Sequence, residues 1–185
     1  MDKFSLYKTR LDCGGTKVSI RKEGMRDQLD WIKRQLEYAS FTDKFELRFD
    51  LRRGEIYEFD WGINVNAEFS NRHYGVVLVD SDAKNPLVTV CPLKTNHGSV
   101  HAESDIDLGE VEAIRNSKNT IAVINQIRTL DKVRIYTKRS IDNGSNSRIY
   151  DSVFNNDIVI RRLENDKFLM ILKAYESYLN GKNEG

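Results

Sequence analysis

The chain has few of the residues that usually announce a chemistry: among 185 residues there are two cysteines, two prolines and three histidines. Cys13 and Cys91 have no paired spacing, which excludes a disulfide framework and fits a reducing cytoplasm. Cys91 lies in an apolar run and reads as a small buried hydrophobe. His97 and His101 are four apart, but Gly98 and Ser99 between them make a loop rather than a helix, with no cysteine near, so no metal is expected there. No apolar run approaches the roughly 20 residues that span a bilayer, and the start MDKFSLYKTR has no apolar core like that of a signal peptide. The expectation is a soluble, unexported, cytoplasmic protein. Also missing are a phosphate-binding glycine loop and a serine nucleophile elbow, and neither cysteine stands in a motif. Charge of one sign is absent too. With 29 basic against 28 acidic residues, a net +1 argues against nonspecific coating of nucleic acid. A local basic zone survives the averaging: Arg115, Lys118, Arg128, Lys132, Arg134, Lys138 and Arg139 surround one acid, Asp131. It reads either as a solvated strand and turn surface or as a nucleic-acid face.

What is present is punctuated hydrophobicity. Met25, Leu29, Ile32 and Leu36, with Tyr38 and Phe41, recur at helical spacing among Asp27, Asp30, Lys33, Arg34 and Glu37, so an amphipathic helix is predicted over about 25–41, docked by that apolar face. Short strands are predicted at Glu55–Trp61, Gly75–Val79, Leu87–Pro92, Thr120–Ile127 and Val133–Tyr136, with turns at Gly62, Ser81-Asp82, Asn96–Gly98 and Leu130-Asp131 between them. That pattern belongs to a small antiparallel barrel or sandwich. A short helix is predicted at Glu110–Asn116. A longer one covers NDKFLMILKAYESYLN, with Phe168, Leu169, Leu172, Tyr175 and Leu179 on one face, Asn165 or Asp166 as N-cap and Gly181 past its end. Ile141–Ser152 reads as a polar excursion, and Asp105 and Asp107 as a solvated acidic loop.

The stretch EFSNRHYGVVLVDSD, Glu68 to Asp82, crowds an acid, a hydroxyl, an amide, a guanidinium, an imidazole and a phenol against a buried strand. On the local pattern alone this also reads as a plain polar hairpin loop feeding a strand. Loops held by a rigid scaffold aim their side chains, so Glu68, Ser70, Asn71, Arg72 and His73 are candidate site residues.

The order of the pieces resembles a family. Arg53-Gly54-Glu55-Ile56-Tyr57, then Glu68 ahead of a valine-rich strand, then VCPLKTN at Val90–Asn96, then INQIRTLDKVRI at Ile124–Ile135 look like the MazF and PemK toxins of bacterial toxin-antitoxin systems, over about residues 52–136. The resemblance implies a mainly β fold, an SH3-like small barrel of the MazF, PemK and CcdB kind, with flanking N- and C-terminal helices. It implies a homodimer, a cognate antitoxin and no cofactor. It further implies sequence-specific, metal-independent cutting of single-stranded RNA by the 2′-OH, leaving a 2′,3′-cyclic phosphate and a 5′-OH. The family's catalytic arginine, five after the loop glutamate and followed by proline, falls on His73 and Tyr74, with Arg72 one residue early. Its threonine or serine falls on Lys94, with Thr95 next. His73, Arg72, Thr95 and Lys94 are therefore the expected catalytic set, and Glu68, Ser70, Asn71, Asn96, Gln126 and Arg128 the expected substrate contacts. Adjacent residues on a strand face opposite ways, so His73 with Arg72, and Lys94 with Thr95, compete for one pocket. The altered pattern leaves open a non-catalytic RNA-binding protein, or a CcdB-like toxin of a protein target. The expected division is an extension at 1–48, a barrel domain at 49–181 and a tail at 182–185.

Overall fold

A computed structural model of the chain describes residues 12–13, 16–17, 22–41, 50–64, 68–96, 98, 101, 103–114, 119–135 and 161–181. The predicted excursion at 141–152, His97, the end of the basic zone and the tail lie outside these residues, as does Tyr136. The chain divides into two compact units, Met1–Ser40 and Phe41–Gly185. In the first, strands β1 (Asp12–Cys13) and β2 (Thr16–Lys17) pair antiparallel, and helix α1 runs Lys22–Phe41. The predicted helix is there, but its covered side differs. Leu29, Ile32 and Leu36 are exposed, while Trp31 is buried, with Arg34 stacked 5.3 Å over its ring and Tyr38 edge-on at 6.4 Å. Trp31, Arg34 and Tyr38 recur at the i, i+3, i+7 spacing of one helix face, so these contacts lie along the helix itself.

The second unit is a bent antiparallel sheet: β3 (Glu55–Asp60), β4 (Arg72–Val77), β5 (Leu87–Thr95), β6 (Asp105–Gly109), β7 (Thr120–Val123), β8 (Arg128–Asp131) and β9 (Arg161–Arg162). Along the sheet the order is β6-β7-β5-β4-β3-β9, and β8 joins β5. The long β5 carries β8 along Leu87–Val90 and β7 along Leu93–Thr95. Between those partners the chain makes a 3-10 turn at Ile124–Gln126, which breaks the strand predicted at Thr120–Ile127. After β8 a second 3-10 turn, Lys132–Arg134, replaces most of the strand predicted from Val133, and Ile135 then bridges to Phe59 of β3. That bridge brings the end of the curl back to its first long strand, which is how a small barrel closes. The fold is thus mainly β with an N-terminal and a C-terminal helix, as expected.

Helix α2 (Asn165–Asn180) packs Phe168 and Ile171 into a core with Ile56, Val76, Cys91, Leu93, Leu108, Ala122 and Ile124. Each of those two side chains contributes about 2–3 kcal/mol by leaving water. The buried face runs Phe168, Ile171, Leu172, Tyr175, whereas Leu169 and Leu179 of the expected face are exposed. The N-cap is Glu164 rather than Asn165 or Asp166. Residues 112–114, within the short helix predicted at Glu110–Asn116, form a turn, and Arg115 and Asn116 lie outside the described residues. No described helix is long and apolar enough to cross a membrane.

RGEIY is explained by local bonding. Gly54, at φ +82°, turns the chain, and its N–H donates to Val77 O at 2.8 Å. The buried Glu55 carboxylate then accepts from the Arg52 N–H at 2.8 Å and the Tyr57 hydroxyl at 2.7 Å. Burial first, then the Glu55 carboxylate, push the Tyr57 phenol far above its ordinary value. Lys132, which the sequence places in a basic surface zone, is buried, and its ammonium donates to Asp82 O at 2.6 Å and Ser81 O at 3.4 Å. Lys132→Met is expected to cost about 2 kcal/mol in urea unfolding, because those carbonyls lose their donor.

Candidate functional site

β4 begins where antiparallel β5 ends, at one end of a strand pair inside the sheet. Their ladder has its last pair at Gly75 and Pro92, so Arg72–Tyr74 and Leu93–Thr95 part company beyond it. Extending that register sets His73 opposite Lys94 and Arg72 opposite Thr95. The four expected catalytic residues therefore share one end of one strand pair but divide between its two faces. Asn71 and Asn96 flank them in sequence. Asn71 takes φ +67°, a left-handed conformation that asparagine tolerates better than most residues, and it turns the loop into β4.

His73 pairs in register with Phe59 and is half-buried. Its ring lies 4.6 Å from that of Phe69, which meets Trp61 edge-on at 5.2 Å, and Trp61 meets Phe59 at 6.1 Å. The Trp61 indole N–H donates to His73 O at 3.2 Å. Burial lowers the His73 pKa below its ordinary 6.5, which favours the neutral imidazole. Gly75 makes room for this aromatic row: a Cβ there would meet the Trp61 ring at 3.0 Å and the Phe59 ring at 3.1 Å. Gly75→Ala should accordingly cost about 1–3 kcal/mol by overpacking, read as a lower midpoint in urea.

The loop between β3 and β4 is held from several sides. Its neck is closed by Trp61 N–H to Asn71 O at 2.8 Å and Asn71 N–H to Gly62 O at 2.6 Å. The Asn64 amide donates to Trp61 O at 3.0 Å and Phe69 O at 2.7 Å. The Ser70 hydroxyl accepts from Asn64 N–H and donates to Glu68 O, both at 3.1 Å, so it braces the loop. Arg128 donates to Trp61 O at 2.8 Å and Phe69 O at 3.3 Å, and its guanidinium stacks 5.0 Å over the Trp61 ring. Gln126 accepts the Phe69 N–H at 3.2 Å. Burial is the first cause lowering the Arg128 pKa and Arg134 the second, yet arginine keeps its charge. Glu68 and Arg72 are exposed. Asn96 accepts the Gly98 N–H at 2.8 Å.

Lys94 has a partner the sequence did not suggest. Its ammonium donates to Asp105 at 2.7 Å, and the Asp105 side chain is 1% exposed against 27% for Lys94. Asp105 is thus a buried residue of β6, not part of a solvated loop. Burial opposes its charge, but the Lys94 and His101 N–H hydrogen bonds and the Lys94 charge hold its carboxyl below 3.8. Missed altogether were Trp61, Asn64 and Phe69. The first and last read as ordinary core aromatics, and an asparagine in a turn raises no signal of its own.

Among solved structures, the chain is similar to MazF (Form-I) from Deinococcus radiodurans, at 13% identity and TM-score 0.47, over 72% of this chain and 99% of that one. It is also similar to an endoribonuclease in complex with its cognate antitoxin from a mycobacterial species, at 14% identity and TM-score 0.43, over 70% and 95% of the two chains. A MazE-MazF structure (Form-II) from Deinococcus radiodurans matches at 13% identity and TM-score 0.42, over 70% and 96%. No curated protein sequence matches. The description "PemK-like, MazF-like toxin of type II toxin-antitoxin system" fits residues 52–150, more than half the chain and the whole span from the RGEIY turn through the closing bridge at Ile135. With that match across the barrel and the loop it carries, the chain belongs to the PemK-like, MazF-like toxin family of type II toxin-antitoxin systems.

Proposed function

We propose that the chain is a metal-independent, sequence-specific endoribonuclease acting on single-stranded RNA in the cytoplasm, as a homodimer restrained by a cognate antitoxin. The observation that carries the reading is a half-buried imidazole, biased by burial toward its neutral form, at the end of the strand pair whose last residues also include Arg72, Lys94 and Thr95. A phosphate seated across that end is reachable from both faces of the strand pair. The 2′-oxygen attacks phosphorus and gives its proton to His73 as the new O–P bond forms. The bond to the 5′-oxygen breaks, and that oxygen takes a proton from a solvent water to leave as a 5′-OH, while the proton held by His73 returns to solvent. Arg72 supplies fixed charge to the phosphate, and Thr95 a hydroxyl donor. Glu68 and Asn96 lie beside this path as substrate contacts. Residues 1–48 form an extension to a toxin domain at 49–181.

One finding favours a second reading, a protein of the same fold that binds without cutting. Lys94 and Arg128, two of the cations expected at the phosphate, are engaged within the chain. Incubation with single-stranded RNA in EDTA separates the two. Fragments with 5′-OH and cyclic phosphate ends support the nuclease, whereas intact RNA retained by the protein supports the binder. Sedimentation at micromolar concentration should give a dimer, and a monomer would count against that part.

A further inference from the structure

The Arg128 and Gln126 side chains hydrogen-bond main chain of the β3–β4 loop. Gln126 ends the 3-10 turn and Arg128 opens β8 two residues later, and both hold Phe69: Gln126 takes its N–H and Arg128 its C=O. Phe69 in turn lies against His73 on one side and Trp61 on the other. Arg128 reaches Trp61 as well, through its carbonyl and over its ring. Two residues of one segment thereby hold the two middle members of the aromatic row, Trp61 and Phe69.

The geometry points to Arg128 and Gln126 as positioning residues that latch Phe69, and through it the His73 ring, rather than as contacts to RNA. The inference rests on the nuclease reading for its kinetic consequence and on the contacts alone for its structural one. The planar fork of arginine is essential to the latch, since one Nη serves two carbonyls while the guanidinium face covers an indole. A lysine has the charge without that shape. A phosphate contact would make the opposite demand, for charge before shape.

The test compares Arg128→Ala, Arg128→Lys and Gln126→Ala with the unaltered full-length chain on a single-stranded RNA oligonucleotide. If the latch is right, Arg128→Ala lowers kcat roughly 10²-fold, the scale of a misplacement near 1 Å, and KM stays within about twofold. Arg128→Lys restores little of this loss. The salt dependence of RNA binding is unchanged. If Arg128 instead neutralises a phosphate, KM rises, lysine rescues, and the salt slope falls by about 0.7, which overturns the inference. A second measurement needs no catalysis. The His73 ring protons should carry a ring-current shift from Phe69, which Gln126→Ala, a change without charge, should reduce. A shift preserved in both Gln126→Ala and Arg128→Lys overturns the latch even if RNA is cut. An unaltered chain that leaves RNA intact while these shifts collapse in the variants overturns the nuclease reading and leaves the latch standing.

Discussion

Replacing His73 by alanine is expected to slow RNA cleavage roughly 10² to 10⁴-fold, the range for losing a general acid or base. The ring is the group at the strand end whose proton affinity suits neutral pH, and burial moves it in the useful direction. Because its pKa lies below 6.5, the base form is already present at pH 7. The cleavage rate should therefore rise with pH through that lowered value and be flat above it. Folding should follow the same sign. A histidine held neutral binds a proton more readily when unfolded, so stability is complete above 6.5 and declines as the pH falls below it. Arg72→Ala should cost less, since Arg72 pairs with Asp60 on the other face of β4. If the two variants come out reversed, the arginine is the working group, and the rate should show no inflection below about pH 12. A rate flat from pH 5 to pH 8 removes His73 from the chemistry.

The parts of this molecule that sequence made legible are those where one physical demand dominates. Val76 and Val77 are β-branched, apolar and bounded, and they are core strand. The C-terminal helix is periodic over four turns, and its N-cap and exact buried face were misjudged, the face because Leu169 and Ile171 are equally apolar and the sheet selects between them. Where two demands compete, the reading fails. Arg72, His73 and Tyr74 look like loop because they are polar, yet they are strand, since β3 supplies backbone partners to each. Asp105 looks solvated because it is charged, yet a lysine on β5, eleven residues back in sequence, neutralises it across β7. Such partners are invisible without the register. The family resemblance survived these errors because it rested on the order of segments, whereas the roles of Gln126 and Arg128 depended on which way a single 3-10 turn aimed them.

Lys94 tests where the boundary between structure and chemistry runs. Lys94→Met should destabilise the fold by about 3 kcal/mol, the low end for breaking a buried ion pair, since Lys94 keeps part of its surface in water. What is lost is less the attraction than the cover it gives: among the described residues Asp105 would keep a charge at 1% exposure with the His101 N–H as its remaining donor, and its Oδ1 is already buried without one. Acid titration should show the same pair from the other side. Its contribution is complete above 3.8 and is lost as the pH falls through the lower folded value of Asp105, so the unaltered chain should weaken there and Lys94→Met should be less sensitive. Pairing the change with Asp105→Leu removes the stranded charge, and most of the lost stability should return, a coupling that a double-mutant cycle in urea measures directly. The double variant then decides the role of Lys94. Lys94 and His73 share a face of the strand pair by register, so a working lysine would leave a stable but inactive protein. A structural lysine would leave one that is stable and still cuts RNA, with the phosphate left to Arg72 and Thr95.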